Sequence, residues 1–497
     1  MPSALLPHTD VAGMNRPVGA LDSATALARY KGSWNERLAA HLLRRAGFGA
    51  RPAELQRAVA SGVQRAVDDL VEFPAAGELP PPEDLYDPSG QLAGFLMSGG
   101  RLNRNDEQRR ELFKQIRMSE RQSILALQQW WLNRMLNSPA PLQEKMALYF
   151  HGHFTSAAIQ KGVSPLMIFN QNQLFRNNAL ANLRELTWNV SVDPAMLLYL
   201  DNARNEAAHP NENYARELME LFTLGVGHYT ESDVRESARA WTGWVFRPRF
   251  GKTQFLPGRH DSGQKTFLGQ TGNWSGREII DIIFRQPACA AFLASSLLNF
   301  FVYNDPEPAL VESVARLIRK NDYNLKPVIS TLLRSNVFYS ARAYRALVKS
   351  PVEFVIGTYK AFDLNAISLP AQRALMQMGQ VLFYPPNVAG WPGGTNWLTS
   401  QTMIARQNFV AALVNSAMTG EGASWLQEVP LEAPAAARRV VGTLLQGDAS
   451  RAALSQLAGY LNGAGTSALG TLSGENYQER VRGAAYLAMA MPAYQLN

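Results

Sequence analysis

Nearly every segment of this chain with a clear hydrophobic period repeats at α-helical spacing, and only two short pieces alternate as strands do. That property argues against parallel-sheet and sandwich folds, which need many strands of period two or continuous apolar character. The first helical segment opens where Ser33 and Glu36 are spaced as a capping box; Leu38, Leu42 and Leu43 share its apolar face, and Gly47 and Gly49 stop it. Residues 51–72 repeat the pattern behind Pro52, and residues 73–90, rich in Pro, Glu and Gly, read as a loop. A long amphipathic helix is predicted over about 107–137, and Pro141 opens another that runs into His151-Gly152-His153. Further helices are expected near 165–183, 194–201, 213–224, 231–243, 276–300, 307–320, 325–336, 349–362, 369–379, 399–418, 431–446, 449–460 and 476–490. The strand-like pieces lie at 244–250 and 265–268, enough for one hairpin. No period of 20–50 residues repeats, which argues against a solenoid. The expectation is an all-α protein. An N-terminal tail over 1–32 precedes one large bundle-like domain over 33–497, with the helices from about 431 packed on it and at most a small β-hairpin.

A chain of 497 residues with 46% hydrophobic content can bury a large core. Its longest apolar run, near 288–303, is broken by Ser295, Ser296 and Asn299, so no membrane span is expected and the chain reads as soluble and globular. The start, Met-Pro-Ser-Ala-Leu-Leu, has neither a cationic opening nor a continuous apolar stretch; no signal peptide is visible, and the cytoplasm is the default compartment. The single cysteine, Cys289, rules out an internal disulfide and any Cys-rich metal site. A formal charge of +7 favours an anionic partner, but the cations are scattered. The one basic run, 101–121, also holds Asp106, Glu107, Glu111 and Glu120 and reads as a solvated helix face. With no zinc-finger or aromatic-basic motif, nucleic acid is not the expected partner.

Five of the seven histidines fall between 151 and 261, together with Asp201-Asn202 and two carboxylates one turn apart, Glu217 and Glu220. Histidine and carboxylate are the groups that move protons or hold metals near neutral pH, so their crowding marks a candidate site. At 100° per residue, the helix at 213–224 places Tyr214, Leu218, Leu221 and Phe222 on one face, and Asn213, Arg216, Glu217 and Glu220 on the other. An ordinary solvated face would look the same. Against that reading, Glu217 and Glu220 repel unless a cation lies between them, and Arg216 or a metal could be that cation. His151 and His153 are candidate metal ligands, a divalent metal being the cofactor these ligand types admit; the bland alternative is interaction with a helix C-terminus. His260 is followed by Asp261, which could orient it through its second nitrogen. No His-Glu-x-x-His, Gly-x-Ser-x-Gly or Gly-x-Gly-x-x-Gly motif is present, and Gly258 to Thr266 fails as a Walker A loop because Gln264 intervenes before Lys265. The loop from Tyr384 to Trp397 carries two indoles, Trp391 and Trp397, which either stack on a sugar ring or plug the core.

His41-Leu42-Leu43-Arg44-Arg45-Ala46-Gly47-Phe48-Gly49, the stretches from His209 to Gly225, Tyr229 to Trp244, His260 to Gly269 and Asn387 to Trp397, and the terminal Ala485 to Gln495 resemble the bacterial proteins catalogued as domain of unknown function 1800. The resemblance covers about 36–497. It implies one domain and no established activity. It also implies that export is common among such proteins and that a partner resembling the sulfatase fold is often encoded nearby. Asn213, Glu217, Glu220, His260-Asp261 and the Trp391 loop fall in its motif stretches.

Two readings follow. The first is a helical enzyme, metal-dependent or acid–base, on a polar or carbohydrate-like substrate. In it Glu217, Glu220, Asp201, Asn213 and His260 do the chemistry, Trp391, Trp397 and Arg216 bind substrate, and His151 and His153 hold the metal. The second is a non-catalytic accessory or scaffold protein that docks a partner, of which the sulfatase-like protein is the example.

Overall fold

The computed structural model describes residues 23–73, 79–83, 85, 107–248, 251–417, 424–463 and 474–497. Most of the predicted tail, much of the 73–90 loop and the start of the basic run therefore lie outside the described residues.

The protein is mostly α-helical, with two small antiparallel sheets of two strands each among the described residues. Proline sets many of the helix starts: Pro52, Pro141, Pro165, Pro194, Pro287, Pro308 and Pro351 occupy the first helical turn, where the missing N–H has no partner to lose. The expected capping box at Ser33 is not the device that opens the first long helix. That helix spans Glu36–Arg45, and Asn35 caps it by accepting from the Leu38 N–H at 3.2 Å. The helix expected over 165–183 stops at Asn177, and a helix that was not expected, Leu183–Ser191, opens where the Asn182 side chain caps it by accepting from Arg184 and Glu185. The expected helix over 276–300 divides, into Gly276–Arg285 and Pro287–Phe301, which meet at 78°. Pro287 cannot donate into the preceding turn, and Gln286 adopts the extended conformation that precedes a proline. No single described helix is long and apolar enough to cross a membrane.

Where one hairpin was expected, two form. Strand Trp244–Arg247 pairs with Lys252–Phe255, Trp244 opposite Phe255, and strand Lys265–Phe267 pairs with Gln270–Gly272, Lys265 opposite Gly272. The turn of the second is made by Leu268 and Gly269, both at positive φ.

One contiguous apolar cluster runs from Ala26 to Tyr494. At its centre lies the helix Pro141–His153, buried at every position from Leu142 to His151. A buried helix must find partners for its polar groups, and this one does. Glu144, with no side-chain exposure, meets Arg176 at 2.8 Å and Arg134 at 2.7 Å and accepts from the Trp131 indole at 3.0 Å. Lys145 pairs with Glu353. The helices Ala433–Leu445, Arg451–Leu461 and Gly474–Ala490 pack on one another, and the last also packs on Ser400–Ala417.

Candidate functional site

The helix predicted over 213–224 forms, but in two geometries: Asn213–Glu217 is α-helical and Leu218–Thr223 is a π-helix. A π-segment widens the turn by one residue and often marks a functional site. Here the Leu224 N–H reaches back five residues to the Met219 carbonyl at 2.8 Å, and the Thr223 hydroxyl bonds the Leu218 carbonyl. Tyr214, Leu218 and Phe222 are buried as the helical face requires, while the wider turn leaves Leu221 only partly buried. Glu217 and Glu220 lie on the other side, both half-buried.

The cation expected between them is elsewhere. Arg216 grips Glu231 with two bonds of 2.7 and 2.8 Å and touches Glu212 at 3.3 Å. Among the described residues neither Glu217 nor Glu220 has an ion pair. Glu220 accepts a 2.8 Å hydrogen bond from the Tyr229 hydroxyl. Burial, reinforced by the charge of Glu220 and only partly offset by Arg216, pushes the Glu217 carboxyl above the usual glutamate range. The Tyr199 hydroxyl is pushed up too, first by burial and then by the charges of Glu217 and Tyr384.

Asp201 and Asn213 come together, the Asn213 amide donating to the Asp201 carboxylate at 3.4 Å. Lys161 completes this group with a 2.6 Å ion pair to Asp201, and its ammonium lies 5.9 Å from the centre of the Tyr199 ring. Asp201 is held at φ 58, ψ 13, left-handed backbone that side chains other than glycine rarely adopt. Asn213 and Glu217 stand four residues apart on one helix, so the Asp201 group and the carboxylate pair share one surface. Its residues are Lys161, Tyr199, Asp201, Asn213, Glu217 and Glu220. Sequence reasoning missed Lys161, Tyr199, Tyr229 and Tyr384, since none sits in a pattern that points to a carboxylate. The only local sign was Gly162 after Lys161, a turn signal.

The two histidines expected as metal ligands are used otherwise. His151, 1% exposed, lies among the rings of Trp131, Phe175, Phe383 and Trp391, with centroids 5.3–6.5 Å away. Its Nε2 faces the Phe383 N–H at 3.2 Å; an amide can only donate, so that nitrogen is the acceptor and its lone pair is taken. The His153 Nε2 faces the Phe222 carbonyl at 2.9 Å, so it carries a proton and donates, and the ring stacks on Tyr149 at 5.7 Å. It thereby satisfies a carbonyl in the last turn of the π-segment. Burial lowers both rings, His151 to about 3 and His153 to about 4. Among the described residues no group of three or more His, Cys, Asp and Glu side chains could hold a metal ion, so the expected metal site finds no support.

Among the described residues no hydrogen bond or ion pair joins the His260 and Asp261 side chains. The His260 Nδ1 bonds the Thr242 carbonyl at 3.0 Å, while Asp261 pairs with Arg239 at 2.7 Å and accepts from the Gly263 N–H. No hydrogen bond or ion pair joins His260 to Glu217, Glu220 or Asp201 among the described residues. Of the two tryptophans expected as a stacking surface, Trp397 is buried, and Trp391 packs edge-on against His151. Gly390, at φ 81, lets that loop approach, since a Cβ there would collide with the Gly152 carbonyl.

Comparison with curated proteins and comparison with solved structures return no match. A family model described as "Protein of unknown function (DUF1800)" matches residues 41–496, nearly the whole length, and the chain therefore belongs to that family.

Proposed function

We propose that this protein is an enzyme working by general acid–base chemistry on a polar, hydroxyl-bearing small molecule of carbohydrate type. In this reading Glu217 moves the proton. Burial and the neighbouring Glu220, whose carboxylate accepts from Tyr229, keep the Glu217 carboxyl protonated to a higher pH than an ordinary glutamate. Lys161, Asp201 and Asn213 offer donors and acceptors to hydroxyl groups, and the exposed Tyr384 offers a ring face. His260, Trp397 and Arg216 have no part in this arrangement, because each is engaged elsewhere.

One observation carries the reading: two half-buried carboxylates stand one turn apart without an ion pair among the described residues, while the neighbouring guanidinium is bound to Glu231. A helix optimised for stability would replace one of them, since like charges at this spacing cost a few tenths of a kcal/mol. Coupled carboxyls of unequal surroundings are a common means of dividing acid and base roles.

The test is turnover of a panel of chromogenic glycosides and esters by the full chain, wild type against Glu217→Gln and Glu220→Gln. The expected result is activity on a member of the panel that falls by about 100-fold or more in Glu217→Gln while the circular dichroism spectrum is retained. Activity that survives both substitutions sinks the assignment.

A further inference from the structure

A cleft of about 410 Å³ lies where three separate segments meet: the turn after the short helix Ser23–Ala26, the helix Pro52–Val71, and the end of the helix Leu325–Leu333. Its walls are polar. They carry Arg29, Gln64, Asp68, Ser330, Thr331 and Arg334, and Leu27 supplies apolar surface. None of Lys161, Tyr199, Asp201, Asn213, Glu217 and Glu220 lines it. Its size falls within the roughly 300–1,000 Å³ of small-molecule sites.

The floor of the cleft is fixed. Arg334, 8% exposed, gives one Nη to the Asp68 carboxylate and to the Gln64 carbonyl at 3.3 Å. Its other Nη goes to the Ser330 hydroxyl and to the Ser330 carbonyl at 3.2 Å. The lip that carries Arg29 is tied down as well. The Tyr30 N–H donates to the Arg334 carbonyl at 2.7 Å, and the N–H groups of Asn336 and Val337 donate to the carbonyls of Ala28 and Ala26 at 2.9 and 3.0 Å. Walls held this way are in place before a ligand arrives, so binding spends little on ordering them.

Each of the three segments adds groups that the fold does not use. Arg29 is exposed and has no ion pair among the described residues. The Gln64 side-chain amide has no hydrogen bond among the described residues, and Asp68 engages Arg334 through one of its two oxygens. Arg334 and Asp68 offset each other, so the charge left on the lining is the single positive one of Arg29. We propose that the cleft binds a small organic monocarboxylate bearing hydroxyl groups, of the hydroxy-acid or sugar-acid class. Arg29 meets the carboxylate, for which a guanidinium offers two parallel donors. The second Asp68 oxygen and the Gln64 amide accept from and donate to the hydroxyls. A neutral sugar leaves Arg29 without a counter-charge, and a phosphate ester brings more charge than one guanidinium balances. This site is independent of the carboxylate pair and its proposed chemistry.

The experiment is calorimetric titration of the full chain with D-gluconate, D-galacturonate and L-lactate, with D-glucitol as the uncharged control. At least one of the acids should give a saturable signal with a dissociation constant in the millimolar range or tighter, and D-glucitol should bind at least about 10-fold more weakly. Arg29→Gln, a change at an exposed side chain, should weaken that acid by about 10-fold or more, and Gln64→Ala by a smaller factor. Glu217→Gln should leave the affinity unchanged, which separates this site from the carboxylate pair. The absence of a saturable signal from every one of the acids overturns the proposal. So does an acid that binds Arg29→Gln as tightly as wild type, or D-glucitol binding that equals it.

Discussion

A hydrogen bond from His153 to the Phe222 carbonyl joins the helix that carries His-Gly-His to the carboxylate helix, yet the two treat polar groups in opposite ways. In the first region the ionisable groups are closed off. Glu144 has two guanidinium partners and an indole, and His151 and His153 each spend a ring nitrogen on a backbone group. In the second, Glu217 and Glu220 are left half-covered and unneutralised beside an arginine that turns away. Residue type drew attention to both regions. Only the partners tell them apart: saturated groups hold a fold together, and unsaturated ones remain free to meet a ligand.

That contrast can be broken most forcefully at Glu144. Glu144→Gln strips the charge from the carboxylate that serves the fully buried Arg176 and should cost roughly 3–5 kcal/mol. Chemical denaturation measures it, and a loss under 1 kcal/mol would place this network among the dispensable ones. The histidines come next. Their folded values, about 3 and about 4, lie below the ordinary 6.5, so the unfolded chain takes up more protons between those limits. Their contribution is therefore complete above about pH 6.5 and is lost as the pH falls towards 4 and then 3. Denaturation curves across that range should show the loss, with a shallower slope in His153→Gln; a slope unchanged by that substitution would contradict the closed-ring account. Metal content, read by elemental analysis after growth in metal-supplemented medium, should be the same in His151→Ala as in wild type. The smallest effect is at Glu217, where the sign reverses. A carboxyl raised above its unfolded value costs stability once the pH exceeds the folded value, and costs nothing below the ordinary 4.5. Glu217→Gln should therefore gain a few tenths of a kcal/mol at pH 7 and nothing at pH 4. A loss at pH 7 would make Glu217 a structural residue.

The helices were legible because their signals are local: an apolar face every three to four residues, a proline at the first turn, and a capping Asn or Ser just before it. The helix Leu183–Ser191 was not, since the cap that opens it, Asn182, looks like any surface asparagine. The π-segment was equally hidden. Leu218 to Thr223 have the same composition in either geometry, and only the displaced Leu221 betrays it. At the site, the facing of Glu217 and Glu220 followed from the 100° rotation per residue. Their partners did not follow. Lys161, Tyr199 and Tyr384 arrive from other elements, and the diversion of Arg216 depends on where the next helix places Glu231. The histidines misled for the mirror reason: sequence shows that a ring can bind or titrate, and only packing shows that a ring nitrogen is already spent on the backbone.

The account rests on Glu217 and Glu220 sharing one field of uncompensated charge. The direct measurement is the carboxyl carbon-13 shift of Glu217 as a function of pH in glutamate-labelled protein, assigned by its disappearance in Glu217→Gln. The titration midpoint should lie above that of an ordinary glutamate and move back towards it in Glu220→Gln. An ordinary midpoint that Glu220→Gln leaves in place would contradict the coupling and, with it, the working site.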